Sequence, residues 1–440
     1  MKFCYLTRVN KYDCLFGTIV VILQSERGKL KIERTEFELL MKRIFITYIL
    51  VCLAAVAGAQ NMTSSPYSRF AYGELGDDVP NTYRGMGGVG IGMRSNKAIN
   101  PLQPASYSAC DSMTFMFDLA GSVQWTTYRD ASGRRNRASG NLEYLSLQVP
   151  LYKKYIGFSA GVMPFSTVGY NFALADSIGK DYHYTATYAG EGGITEVYGG
   201  LSFNICNWFA VGANVYYMFG HVLNYRALTF TESGMNSVMQ EGTLKVSSVR
   251  TRVGAQLFHE FANGDAFTVG AIWEPKLPLH GDYSVIETIW EDTVQSGAAA
   301  MQVPMQWGVG ASYTWHQRLT LAFDYTAQAW NDAQVFGNQQ LRARTIYAAG
   351  AEYRHNPMGR NYAERMYWRI GAKIATPYQQ SVSGMDMKFS IGIGFPLRNA
   401  ATVFNTTIEY GHRGALLKED YLKLTLNAAI SETWFFKRRL

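Results

Sequence analysis

Met113-Thr114-Phe115-Met116-Phe117-Asp118-Leu119-Ala120-Gly121-Ser122-Val123-Gln124-Trp125 carries an apolar or small residue at every odd position. Thr114, Asp118, Ser122 and Gln124 fall between them. A period of two sends successive side chains to opposite faces of a β-strand. An alternation this long exceeds the common strand of about 5–6 residues. It fits a tilted membrane crossing of about 9–11 residues with an extension. The same phase recurs at Val211, Ala213, Val215 and Tyr217, and at Leu319, Leu321, Phe323 and Tyr325. It returns at Ile391, Ile393 and Phe395, and at Leu422, Leu424 and Leu426.

Turn signals separate these runs: Ala131-Ser132-Gly133-Arg134, Ala262-Asn263-Gly264-Asp265 and Asn356-Pro357-Met358-Gly359. The alternating segments number about fourteen. Aromatic residues crowd the strand ends at Trp208-Phe209, Tyr216-Tyr217, Trp273, Trp315 and Tyr367-Trp368, as interfacial girdles do. Inside a bilayer every backbone amide must be paired internally, which favours closing such a sheet. The expected fold is therefore all-β: a transmembrane antiparallel β-barrel of about 14 strands over residues 113–440. A secreted sandwich or propeller would explain the alternation but not the long strands and the girdles. The run Trp434-Phe435-Phe436 closes the last strand and reads as a C-terminal signal for outer-membrane insertion machinery; an ordinary final strand with a cationic tail reads the same way.

The chain has 440 residues, 48% hydrophobic, 14% aromatic and 17% charged, with a mean hydropathy of −0.11. That composition excludes disorder and a helical membrane bundle. Met41-Lys42-Arg43, the apolar run Ile44 to Val56, and Ala57-Gly58-Ala59 make a signal peptide over residues 41–59. Residues 1–40 then read as an upstream extension from a misplaced start; the alternative is a native cytoplasmic segment. Cleavage leaves 32 basic and 29 acidic residues, so the net charge falls from +7 to +3 and gives no case for nucleic acid. Only Cys110 and Cys206 remain, as two isolated residues or one disulfide.

Residues 60–112 lack alternation and are too short for a core of their own. They are expected to lie inside the barrel as a plug, or hatch. Gly85-x-Gly87-x-x-Gly90 matches a dinucleotide fingerprint in letters only, because no βαβ unit surrounds it. Its glycines suit close backbone packing in a narrow lumen. Arg250 and Arg252 alternate with Val249, Thr251 and Val253, so they face the lumen if the valines face lipid, where a charge would cost about 2–4 kcal/mol. They are expected to pair within the lumen, with Asp118 or with hatch acids, or else to meet a carboxylate ligand. Asp118 and Asp324 point inward by the same phase. The scattered histidines form no zinc or hydrolase motif, so no enzyme, metal or cofactor is expected.

The Arg84-Gly85-Met86-Gly87-Gly88-Val89-Gly90 stretch, followed by Asn100-Pro101-Leu102-Gln103-Pro104-Ala105 and then the barrel, resembles the FadL-type outer-membrane transporters. In this chain Leu102 and Gln103 separate Asn100-Pro101 from Pro104-Ala105. Gly190-Glu191-Gly192-Gly193-Ile194, Tyr217-Met218-Phe219-Gly220 and Val303-Pro304 before Gly308 extend the likeness. Ser65 to Phe70, Arg84 to Gly88 and Trp434 to Arg438 are similar to its Bacteroidota branch. The resemblance implies a hatch at Arg84, Gly85, Gly87, Gly88, Asn100, Pro104 and Ala105. It also implies a kinked third strand that opens sideways into the outer-membrane lipid. Pro164 is the candidate kink, since proline cannot donate to a ladder; otherwise it merely ends the strand. The implied function is passive uptake of hydrophobic or amphipathic, fatty-acid-like small molecules. The alternative is a non-transporting barrel of the same fold, a scaffold or shuttle bound to protein partners in an outer-membrane secretion or assembly complex.

Overall fold

The computed structural model describes residues 65–130, 133–178, 182–230, 237–287, 292–298, 301–334, 340–397, 402–415 and 417–433. The expected extension, the signal peptide and Trp434-Phe435-Phe436 lie outside these residues. Among the described residues, fourteen antiparallel strands close into a barrel.

The first six strands are long: β1 (Thr114–Asp130), β2 (Gly133–Tyr152), β3 (Ile156–Ile178), β4 (Tyr182–Cys206), β5 (Phe209–Phe230) and β6 (Val238–Glu260). Strand β7 runs as Ala266–Glu274, Leu277–Leu279 and Gly281–Glu287; β8 returns as Asp292–Ala298, Met301–Val303 and Gln306–Trp315. Pro275 and Pro304 stand in gaps of these two strands, where a residue without an N–H is tolerated. The ring continues through β9 (Leu319–Gln328), β10 (Arg344–Tyr353), β11 (Tyr367–Ala375), β12 (Asp386–Pro396), β13 (Val403–Arg413) and β14 (Lys418–Thr433). β14 pairs with β1 from Lys418 opposite Arg129 to Thr433 opposite Thr114, and this ladder removes the sheet edges.

The period of two sorts the wall into two surfaces. In β1, Met116, Asp118, Ala120 and Ser122 are buried inward while Trp125 is 48% exposed on the outside. Val215, Phe323 and Ile391 are 54%, 52% and 59% exposed on the same outer band, where lipid rather than water is the natural neighbour. Trp208, Trp273 and Trp315 also face outward. Tyr216 does not belong to the girdle: it is fully buried and its ring lies 3.8 Å from the Arg250 guanidinium.

Only short turns join β2 to β3, β4 to β5 and β8 to β9 at one end, and short turns mark the periplasmic side of such barrels. One ladder is incomplete. β2 pairs with β3 only between Leu145–Val162 and Tyr152–Ile156. The register of β3 on β4 shifts between Pro164 and Ser166, as at a β-bulge. Beyond Val162 the wall parts, and the short strand Glu74–Leu75 from the amino-terminal segment pairs with Thr167 and Ser166 there.

Candidate functional site: the hatch and its ionic clamps

Residues Ser65 to Cys110 carry little regular structure: a 3-10 turn at Pro66–Arg69, the strand Glu74–Leu75, one helical turn at Asn81–Arg84 and a 3-10 helix at Pro104–Ala109. Such a segment cannot pair its own backbone polar groups, so buried partners must come from the wall. The wall supplies them. The Gln103 amide donates to the carbonyls of Ile91, Ala255 and Ala271, each at 3.2 Å. Pro101 carbonyl accepts from Asn214 at 2.9 Å and from Tyr216 at 3.2 Å. Asn100 donates to Gly90 carbonyl at 2.8 Å and fixes the turn above it. Pro104 and Ala105 are buried against Gly212 of β5, where a Cβ would strike their backbone.

The glycine run packs equally close to the opposite wall. Gly87 has φ +76° and Gly88 φ +82°, a left-handed geometry that glycine alone adopts without strain. The Gly87 amide donates to Ser390 at 2.9 Å, and Gly371 faces it so closely that any Cβ there would strike the Met86–Gly87 backbone. Gly85 lies against Gly392 and Arg369. Asp324, inward on β9, accepts from the amides of Gly90 (2.6 Å), Ile91 (2.7 Å) and Gly92 (3.3 Å).

Charges clamp the segment at four further points. Arg250 reaches Glu196 at 2.7 Å, Glu274 at 2.9 Å and Asp78 at 3.2 Å. Arg252 bonds Asp78 at 2.5 Å and also pairs with Glu274. Asp77 takes Lys373 at 2.5 Å and Lys388 at 3.1 Å. Burial alone would raise the Asp77 carboxyl, but these two ammonium groups hold it well below the usual carboxylate range. Arg84 pairs with Glu143, which also meets Lys423 at 2.6 Å. Glu74 meets Arg413 at 3.1 Å.

Arg250 and Arg252 thus pair with a hatch acid and two wall acids, not with Asp118. Asp118 stands on β1, bonded to Asn427 across the β14 seam. Glu196, Glu274, Glu143, Lys373 and Lys388 are site residues that the expectations above did not include. Glu196, Glu274, Lys373 and Lys388 sit in the inward phase of their strands, beside outward apolar neighbours such as Val197, Trp273, Ile374 and Phe389, while Glu143 sits at a bulge of the β1–β2 ladder beside buried Tyr144. Between hatch and wall, two cavities of about 50 and 90 Å³ carry charged groups from these clamps in their linings. Among the described residues no cluster of His, Cys, Asp or Glu is arranged to hold a metal ion. Cys110 is buried, Cys206 is exposed, and both thiols are free.

A protein-family model described as BamG matches residues 40–440. The chain belongs to the BamG family. Solved structures share the fold at low identity. The Ralstonia pickettii toluene transporter TbuX superposes with a TM-score of 0.53 at 14% identity, covering 81% of this chain and 99% of its own. A Pseudomonas aeruginosa FadL homologue gives 0.54 at 12%, covering 83% and 100%. The P. putida toluene transporter TodX gives 0.54 at 14%, covering 82% and 99%. A comparison with curated proteins finds no match. This BamG-family chain is thus an outer-membrane β-barrel of FadL-like fold.

Proposed function

We propose that this BamG-family barrel is a non-transporting structural subunit of an outer-membrane secretion or assembly complex. The observation that carries the reading is the centre of the lumen, where Asp78 of the hatch sits on Arg250 and Arg252 between Glu196 and Glu274. A hatch that must move for each passing molecule would have to break such clusters. Removing one partner of a buried pair costs about 3–5 kcal/mol. Breaking two clamps at about 3 kcal/mol each leaves roughly one open molecule in ten thousand or fewer. Such a stopper suits a barrel whose working surfaces are its rim and wall.

The second reading is passage of hydrophobic molecules. The parted wall beyond Val162 favours it, covered there by hatch residues through the strand Glu74–Leu75, Ser68 and Gly76, as does the fold shared with transporters. The test is purification of the tagged chain from outer membranes in mild detergent, with mass spectrometry of what accompanies it. The expected result is a defined set of proteins in fixed ratio. A barrel that runs alone and carries a hydrophobic solute into liposomes would overturn the proposal in favour of the channel.

A further inference from the structure

A cavity of about 670 Å³ opens at the short-turn end of the barrel, between the hatch and strands β6 to β11. Its cations are unusually placed. Lys97 Nζ and Arg354 Nη1 both donate to the Tyr367 hydroxyl, at 2.9 and 2.7 Å, so two like charges converge on one neutral oxygen. Arg354 also lies 4.9 Å from the Tyr367 ring centroid. Arg318, exposed on the β8–β9 turn, and Arg94 line the same space. Arg94 sits 4.0 Å over the Phe258 ring and spends its donors on neutral acceptors, Ala105 and Asn204 at 2.9 Å. Burial pushes its guanidinium down to about 10, against the opposing pull of the Glu260 carboxylate.

Three of the four acids that line the cavity are engaged elsewhere. Asp111 pairs with Lys154 and Glu352 with Arg369, while Asp265 is held by Asn263, Tyr313 and His316. Glu260 stands exposed. Among the described residues, none lies within ion-pair distance of Arg94, Lys97, Arg318 or Arg354. Lys97, Arg318 and Arg354, gathered in a partly desolvated cavity with no carboxylate in ion-pair contact, form a site for anions.

We propose that this periplasmic mouth binds an acidic peptide segment of a partner protein, its carboxylates seated on Lys97, Arg354 and Arg318 beside the Tyr367 ring. The inference rests on the structural-subunit reading and names the chemistry of one partner contact. A peptide fits better than a lone small anion. The four cations come from the hatch, the β8–β9 turn and the end of β10, and they spread over a cavity that a single phosphate would touch only at the Lys97–Arg354 pair.

The test uses the full chain in detergent micelles and a fluorescein-labelled glutamate-rich peptide, read by fluorescence anisotropy. A peptide of the same length with glutamine for glutamate serves as the comparison. The acidic peptide is expected to bind and the neutral one not to. The double variant K97Q/R354Q should weaken binding by about tenfold or more, while R134Q/R135Q at the exposed start of β2 should leave it unchanged. Heat-dependent gel mobility checks that each barrel is folded. Equal binding of the neutral peptide, unchanged binding by the folded K97Q/R354Q variant, or displacement by inorganic phosphate as effective as by unlabelled peptide would each overturn the assignment. Because the isolated barrel is probed, failure here leaves the co-purification result standing, and a solitary barrel in that experiment does not alter this one.

Discussion

Replacing Asp77 with asparagine should release the middle of the hatch. The carboxylate is the shared partner of Lys373 and Lys388, so the variant leaves two buried or half-buried ammonium groups with no acid between them. Each charge-assisted hydrogen bond contributes about 1.5–3 kcal/mol. Asp77 and Lys388 keep about a quarter of their side-chain surface exposed, which lowers the sum, and a net loss of about 2–4 kcal/mol follows. Each 1.4 kcal/mol is about tenfold in an equilibrium, so local opening should rise by roughly 30- to 1000-fold. Hydrogen exchange of the amides from Gly76 to Gly88, compared at matched pH, reads that population directly. The barrel ladders, read in the same experiment at β12 and β13, should keep their protection. Protection of the hatch equal to that of the parent chain would refute the clamp argument, because the loss would then be absorbed by solvent. A second substitution, Lys373 to Met, removes one stranded charge and should recover part of the protection.

Acid should act on the same clamp. The folded-state pKa of Asp77 lies below its unfolded value, so its contribution is complete above the ordinary carboxylate range. It is lost only as pH falls from about 4 through the lower folded value; the share of hatch protection that Asp77 supplies, with exchange corrected for its intrinsic pH dependence, should therefore be flat from neutral pH to about pH 5 and fall below about pH 4. Asp324 to Ala removes the acceptor of three buried amides at Gly90, Ile91 and Gly92, and should cost about 2–4 kcal/mol, seen as faster exchange at those amides. Gly371 to Val sets a side chain against the Met86–Gly87 backbone; the expected outcome is a closed barrel, still heat-modifiable on gels, whose hatch is cut by added protease. Arg252 to Met leaves Arg250 as the one remaining guanidinium among Asp78, Glu196 and Glu274, and should lower the thermal midpoint of the barrel more than Arg134 to Met does at the exposed rim.

The wall was legible because lipid and lumen impose opposite demands on adjacent residues. Phe323 against Asp324, or Ile391 against Ser390, states in two letters which way each side chain points. The inward placement of Arg250, Arg252, Asp118 and Asp324 followed from that phase alone. Their partners did not. Asp78, Glu196 and Glu274 come from the hatch, β4 and β7, and only the closed ring brings them within 3.2 Å of the two guanidinium groups. A phase test applied to every strand charge would have flagged Glu196, Glu274, Lys373 and Lys388, though not who meets whom. The hatch was legible as glycine-rich and coreless, while its path was not, because its backbone bonds to side chains from all round the wall. Pro164 stands at a register shift of the third strand on the fourth; that the β2–β3 ladder stops at Leu145–Val162, beside the bulge at Glu143 in the β1–β2 ladder, is encoded by no local motif.

The bond from Ser65 to Glu419 joins residues 354 positions apart, and Gly87 is held by Ser390, 303 positions on. The leading segment of the polypeptide therefore waits for the trailing strands before it can settle. Contact order this high predicts slow, late maturation, with the unfinished cylinder exposing both sticky rims and an unlodged stopper meanwhile. Assembly of this protein is accordingly a problem of timing, in which whatever shelters the nascent chain must act until the last hairpin docks.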